Sequence, residues 1–558
     1  MSEVAAPDPG VGPDTGTSGV RRASTMLATG TIVSRILGFI SAAVLAHTLF
    51  TQNGPSNDFT IANQLPNNIY AIIAGGLLSA ILVPQIVRSG SHDDGGEKFV
   101  NRVVTLGIVV FLVIAVVGTV LAPALVRLYA SQQTGGTGAG LTAADVDLAT
   151  AFAYWCLPQI FFYALYSLLG EVLNARRIFG PFTWAPVVNN VVAIAGLVAF
   201  DIAFHDVDIK DVGNWTPWMI AIIAGSATLG VVGQSLFLAA FWRRTGLRYR
   251  PEFRWRGVGL GKVGKAAFWT FLMILITQLA GIVQSKVASL AGEGNPSNSV
   301  LRYAWLIFML PHGIITISIA TPYFTRMSGH AHRGDFGALR RDLGESLRVI
   351  GLLLVFSSVG LIVVANSFSA IFSHTFGETH AMAAVVVAYL VGLVPFSAVF
   401  VLQRTFYALE DTRTPFLFQT MQSVLLVGGI LASGFQPLPS IALGIAISTT
   451  VADFILLAVA AILLQRRMHG LGLRPVVRAY TVFLVAMIPA AAVGVGLDFL
   501  LGAFGTGFAV AGTAQGILSV ALIGAVMGIV YIAALALMRS PELKELISPV
   551  IRRVRGRR

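Results

Sequence analysis

The sequence predicts an all-α, polytopic membrane protein of about fourteen transmembrane helices, and three observations carry that prediction. Only 11% of the 558 residues are charged while 55% are hydrophobic, against roughly one-quarter charged in soluble domains. Apolar segments of the ~20 residues needed to cross ~30 Å of hydrocarbon recur fourteen times. Basic residues cluster at alternate connections between those segments, and a missed or extra helix would invert that bias downstream.

Residues 1–22 are rich in Pro, Gly, Asp and Thr and predict a disordered cytoplasmic tail. A cleaved leader is not expected, because this stretch is long and contains acids, and the apolar run after it holds Arg35. Segments 25–50 and 60–87 lead to the basic cluster Arg88, Lys98 and Arg102, and segments 103–126 and 149–173 lead to Arg176 and Arg177. Segments 183–204 and 216–242 enclose Asp206, Asp208 and Asp211 and end on the basic stretch from Arg243 to Lys265. Segments 265–290 and 299–324 precede Arg326 to Arg341; 346–373 and 382–408 precede Arg413; 415–434 and 439–465 precede Arg466 to Arg478. Segments 477–501 and 514–538 complete the set and run into the tail Arg552 to Arg558, which suits anionic phospholipid on the inner leaflet.

With both termini cytoplasmic, 32 of the 38 Lys and Arg lie on the cytoplasmic side. Only Arg127 and Lys210 lie outside, and Arg35, Lys286, Arg302 and Arg404 lie within segments. The formal charge of +12 therefore reports topology, and nucleic acid is not an expected partner. The lone Cys156 excludes an internal disulfide. No phosphate-binding loop or His-Glu-x-x-His zinc motif occurs, so neither a metal site nor a cofactor is expected, and any driving force comes from an ion gradient, the membrane potential or substrate consumption.

The chain carries an internal echo. Gly75, Pro84 and Arg88 recur as Gly313, Pro322 and Arg326 at a common offset of 238, and Ala175 with Pro181-Phe182 is echoed near Ala408 and Pro415-Phe416 at an offset of 234. Duplication divides the chain into a six-helix lobe at 23–245, a basic linker at 246–263 and a second six-helix lobe at 264–468. Six spans is an even number, so a pseudo-twofold axis along the membrane normal relates the lobes in parallel, with substrate bound between them. Helices 13 and 14, at 469–540, fall outside the repeat and offer a possible lipid-tail groove; 541–558 forms a basic tail.

Charges within the membrane mark the candidate site. An arginine near a bilayer centre costs roughly 2.5–3.5 kcal/mol on insertion scales, so Arg35, midway along the first segment, predicts an anionic ligand. Lys286 and Arg302 flank the hairpin between segments 7 and 8, as interface anchors or as further cavity cations. Glu171 and Arg404 occupy corresponding places in the two lobes, near the cytoplasmic ends, where they either snorkel or form a gate pair. Asp453, with Thr449 and Thr450 one turn before it, suits a sodium ion or a proton, or is satisfied by neighbouring helices.

Ser34-Arg35-Ile36-Leu37-Gly38-Phe39, Gln64-Leu65-Pro66-Asn67 and Phe406 through Pro415 resemble the MurJ/MviN lipid II flippases over nearly the whole chain. The resemblance implies movement of the undecaprenyl-pyrophosphate-linked disaccharide-pentapeptide from inner to outer leaflet of a bacterial plasma membrane. It further implies alternating access without enzymatic chemistry, and the cell-wall synthesis machinery as a partner. Arg35 matches the first of four cavity cations usual in that family. The others fall on Ser41-Ala42, near Tyr70 and on Leu306, so they are missing, and Lys286 and Arg302 are expected to substitute. Asp58 matches an acidic position before the second helix, and Asp411 and Arg413 lie in the most specific loop, assigned to gating. Asn63, Asn67, Gln278 and Gln284 are expected to bind sugar or peptide, or one another's helices. Alternatives are a flippase for another undecaprenyl-linked glycan, a multidrug antiporter, or a membrane-embedded glycosyltransferase, which the short outer loops disfavour.

Overall fold

Apart from one isolated bridge between Gln132 and Leu141, a computed structural model is helical throughout its ordered elements, and it describes residues 17–89, 96–133, 139–176, 178, 180–253 and 264–545, with backbone only at 17–28, 73–89 and 264–267. Most of the tail at 1–22, the linker beyond 253 and the basic tail beyond 545 lie outside the described residues.

The first lobe contains α1 (Thr17–Leu49), α2 (Gly54–Ser89), α3 (Glu97–Val120), α4 (Ala122–Tyr129), α5 (Ala143–Cys156), α6 (Gln159–Ala175), α7 (Gly180–Phe204) and α8 (Pro217–Ala240). The second contains α9 (Gly264–Ala288), α10 (Asn298–Pro311), α11 (Ile317–His332), α12 (Phe336–Val363), α13 (Ala365–Ser369), α14 (Phe376–Val391), α15 (Leu393–Ala408), α16 (Arg413–Ser433) and α17 (Ile441–Arg467). Two further helices, α18 (Arg474–Leu500) and α19 (Thr513–Leu537), close the chain. Thirteen helices or helix pairs are long and apolar enough to span a membrane among the described residues, and the 36-residue α2 makes the fourteenth. Each apolar segment of the sequence corresponds to one of them.

Five segments are interrupted where the sequence resists a continuous ladder. Leu157 and Pro158 separate α5 from α6, and Gly392 separates α14 from α15. These two breaks are 234 residues apart, the offset of the second sequence echo. Leu121, just ahead of Pro123, divides α3 from α4, and Val364 divides α12 from α13. After Pro311 the backbone widens into a π-turn over His312–Thr316 before α11 resumes. Proline removes an amide donor and crowds the preceding turn, which accounts for the breaks beside Pro123, Pro158 and Pro311.

Helix ends in the loops are capped by side chains. Thr142 and Asp145 form a reciprocal capping box on α5, Thr216 precedes Pro217 on α8, and Asp335 accepts from the Ala338 amide at 2.9 Å on α12. Each such cap stabilises its helix by about 1 kcal/mol.

Within the first lobe α7 packs on α1 and α8, and α2 packs on α5 and α6. Within the second α16 packs on α9 and α17, and α11 on α12 and α15. α2 also runs against α9 and α10, so it forms the seam between lobes, while α18 packs on α12 and α19 and so attaches the last pair to the second lobe. Large apolar side chains face outward, with Ile202 at 73% and Ile529 at 69% exposed. Such continuous apolar surface belongs in lipid.

Candidate substrate site

Arg35 lies on α1, half-buried, with its guanidinium against Gly313 in the π-turn of the opposite lobe. A Cβ added at Gly313 would collide with that guanidinium. Glycine thus leaves the guanidinium room to lie on the backbone, and the widened turn lets a cation from one lobe rest on the other. His312 beside it bonds Ser397 Oγ through Nδ1 at 2.9 Å and packs edge-on against Phe396 and Phe400.

Arg302, on α10, reaches into the first lobe. It lines a cavity of about 210 Å³ together with Gly38, Ser41 and Ala42 of α1, Asn63 of α2, Gln159, Asn189, Asn190 and Ser226. Its Nη1 is buried without a hydrogen-bond partner, and so is Gln159 Oε1. The structure therefore brings Arg302 and Asn63 together in one pocket, with Arg35 one turn of α1 from its edge. Asn67 is exposed, and Gln278 and Gln284 are half-buried on α9. Lys286 is exposed near the end of α9, where its carbonyl accepts from the Ser131 and Ser289 hydroxyls at 2.9 and 2.7 Å.

Asp58 is fully buried near the start of α2, and neither carboxylate oxygen has a hydrogen-bond partner. Its neighbour Asn57 takes the bonds instead: its Oδ1 accepts from the Ser299 amide at 3.1 Å and the Ser299 hydroxyl at 2.9 Å, across the lobes. Other cross-lobe bonds lie at this end of the bundle. The Gly294 amide donates to Gln52 O at 2.9 Å, the Gly140 amide to Leu290 O at 3.1 Å and the Ser131 amide to Ser289 Oγ at 2.7 Å. His47 bonds His374 at 3.3 Å. These cross-lobe hydrogen bonds gather at one end of the bundle and stitch the lobes there.

Asp453 is buried on α17 and accepts from Gln422 Nε2 at 2.6 Å. Thr449 Oγ1 donates to Ile445 O at 2.9 Å and Thr450 Oγ1 to Ala388 O at 2.6 Å. The two hydroxyls are spent on backbone, and the carboxylate's partner is an amide from α16. No group of three or more His, Cys, Asp or Glu side chains suited to a metal ion occurs among the described residues.

Asp411 accepts from the Thr414 amide at 2.9 Å and the Thr414 hydroxyl at 2.7 Å, fixing the start of α16, with Arg413 exposed beside it. Arg404 stacks over Phe400 at 4.9 Å and Phe324 at 5.4 Å. Glu171, its counterpart in the first lobe, is half-buried on α6. Gln159, Asn189, Asn190 and Ser226 line the Arg302 cavity but are not singled out in the sequence, where polar residues inside otherwise apolar segments are the available signal.

A family model described as lipid II flippase MurJ matches residues 45–515. The chain is 26% identical over 479 residues to a probable lipid II flippase MurJ of Vibrio cholerae serotype O1, covering 84% of this chain and 86% of that protein. It is likewise 26% identical over 429 residues to a probable lipid II flippase MurJ of Thermotoga maritima, covering 76% and 80%. Among solved structures, lipid II flippase MurJ in an inward closed conformation superposes with a TM-score of 0.68 at 20% identity, over 90% of this chain and 98% of that one. An inward-facing multidrug resistance MATE transporter gives 0.60 at 17% identity, over 78% and 95%. At these identities the two structures establish the shared fold.

Proposed function

The chain belongs to the MurJ family of lipid II flippases, and on that premise we propose how it carries lipid II from the inner to the outer leaflet of a bacterial plasma membrane by alternating access, both termini cytoplasmic. The observation that carries this reading is Arg35. It is a cation in the middle of a spanning helix, facing the opposite lobe over Gly313. Pyrophosphate is the part of lipid II that such a cation would hold by charge-assisted hydrogen bonds.

Arg302 supplies the second charge. It lines the same cavity as Ser41 and Ala42, the places where the family resemblance expects a second cation on α1. A cation delivered from α10 therefore stands in for one missing from α1. Lys286 adds positive potential at the outer end of the seam, and Asn63, Asn67 and Gln284 offer polar contacts along the path. Asp58, buried without partners beside the Asn57–Ser299 bonds, belongs to the element that must part when the lobes rock. A buried acid with no hydrogen-bond partner disfavours the closed seam relative to one that water reaches.

The stitched end is the outer one in this topology, so the lobes would part first at the cytoplasmic end, where lipid II is made. Rocking breaks the outer bonds and presents the headgroup outside. Asp453 with Gln422 is the locus for a coupling proton or sodium ion. Asp411 and Arg413 set the cytoplasmic entry to α16. Anionic phospholipid against the terminal basic residues and contact with the cell-wall synthesis machinery complete the proposed setting.

The test is complementation in cells depleted of their own lipid II flippase. The full chain restores growth, Arg35→Ala does not, and Arg35→Lys restores it partially because a point charge replaces a planar fork. Full growth with Arg35→Ala at normal protein levels contradicts the assignment of Arg35 to the pyrophosphate.

A further inference from the structure

We propose that the 210 Å³ cavity inside the first lobe is a separate subsite for a single sugar ring of the substrate headgroup, read by Gln159, Asn190 and Arg302. The proposal rests on the flippase reading and specifies which part of the headgroup is recognised apart from the pyrophosphate.

The cavity is polar where a cavity within an apolar bundle has no structural need to be. Gln159 sits just after the Pro158 break, 1% exposed. Its Nε2 donates to Thr228 Oγ1 at 2.9 Å, and that hydroxyl donates onward to Trp155 O at 2.7 Å. The Thr228 hydrogen is therefore spent, so Thr228 can only accept from Gln159. This fixes the amide: nitrogen toward Thr228, oxygen left over. That oxygen is buried and has no partner. Asn190 is fixed in the same way, its Nδ2 donating to Ser34 O at 3.0 Å, which leaves its Oδ1 near Gly38. The walls thus offer acceptors from two amides and one donor, Arg302 Nη1, buried and unpartnered. A buried polar atom left unpaired costs stability, so the arrangement fits a ligand that brings hydroxyl or N–H donors together with an oxygen carrying negative charge.

Size and position narrow the ligand. At about 30 Å³ per water, the volume matches roughly seven waters, room for one sugar ring, with the rest of the headgroup extending through the open mouth. Along α1 the cavity begins at Gly38, one turn beyond Arg35, and extends to Leu45. At 1.5 Å per residue that is roughly 5–15 Å from Arg35. A pyrophosphate on Arg35 thereby places the sugar directly bonded to it at the cavity mouth, with a phosphate or peptide carboxylate oxygen within reach of Arg302.

The experiment is equilibrium binding by the full chain in lipid nanodiscs, comparing lipid II with undecaprenyl pyrophosphate, which lacks the sugar. Gln159→Met removes the orphan acceptor, and Ala193→Leu fills the cavity without removing a polar atom; thermal unfolding verifies that both are folded. Each is expected to weaken lipid II binding about tenfold, the scale of one buried hydrogen bond, and to leave undecaprenyl pyrophosphate binding unchanged. Arg35→Gln weakens both ligands. Unchanged lipid II affinity in folded Gln159→Met and Ala193→Leu, or equal weakening of both ligands, overturns the subsite. Absence of lipid II binding by the unmodified chain overturns the flippase reading itself, a result distinct from either.

Discussion

Arg35 and Gly313 are one device made of two residues. The cation lies in a spanning helix where it has a cost, and the facing backbone is widened and stripped of a side chain to receive it. Gly313→Ala places a methyl group where the guanidinium rests. Because the far end of a flexible side chain can swing aside, the fold survives while Arg35 is displaced. The expected result is normal membrane insertion and thermal stability with transport reduced several-fold, read by lipid II flipping in proteoliposomes. Wild-type transport in Gly313→Ala would show that the contact is incidental. Asp411 is of a different kind: its carboxylate caps α16 through Thr414. Asp411→Ala should lower stability by about 1 kcal/mol, as lost caps do, and Asp411→Asn, which keeps an acceptor, should recover most of it in the same thermal measurement.

At the scale of elements, the seam between α2 and α10 decides which face is open. Asn57 and Ser299 form its buried core, and removing the Asn57 side chain leaves the Ser299 amide unpaired, a loss of about 1–3 kcal/mol. Asn57→Ala, which removes the acceptor of both bonds, should shift the population toward the outward-open form; Ser299→Ala, which keeps the amide bond to Asn57, should shift it less, and the double variant should add little to Asn57→Ala. Thiol labelling of cysteines placed in the cleft reads this shift; additive effects would separate the two residues. The rim of the seam is titratable. Packing against the rings of His47 and Phe50 desolvates the His374 imidazole, and positive charge on His47 and Lys210 acts in the same direction, with Glu378 opposing. Its pKa therefore lies below the ordinary histidine value. The closed seam disfavours the protonated ring relative to the open one, so closure is at full strength above about pH 6.5 and weakens as pH falls through that value toward the depressed one. Outer-face labelling should rise on acidification, and His374→Gln should flatten the response. A pH-independent seam in the unmodified protein contradicts this role.

For the whole molecule, the number and order of spans were legible in the sequence because burial in lipid acts on composition over ~20 residues. Each of the fourteen apolar segments is a helix or a broken helix pair in the structure. The interior breaks were less legible, since Leu121, Gly392 and Val364 interrupt a helix without interrupting hydrophobicity. Lateral neighbours were not legible at all. Sequence placed Arg35 and Arg302 in the membrane but could not say that one faces Gly313 and the other enters the first lobe. Nor could it tell that the hydroxyls of Thr449 and Thr450 would turn to backbone carbonyls while Gln422, from another helix, meets Asp453. Span averaging hid Gln159, Asn189 and Asn190, because a few amides barely alter the mean of an apolar run. Family membership joins these parts into the proposed cycle, in which the lobes take a pyrophosphate-linked headgroup at one face and release it at the other. The most direct measurement is the leaflet distribution of lipid II in cells whose only lipid II flippase is this chain, followed by surface labelling as the chain is depleted. The account predicts that lipid II accumulates on the inner leaflet and disappears from the outer one, with recovery on re-expression of the chain but not of its Arg35→Ala form. Unchanged outward movement of lipid II after depletion would contradict it.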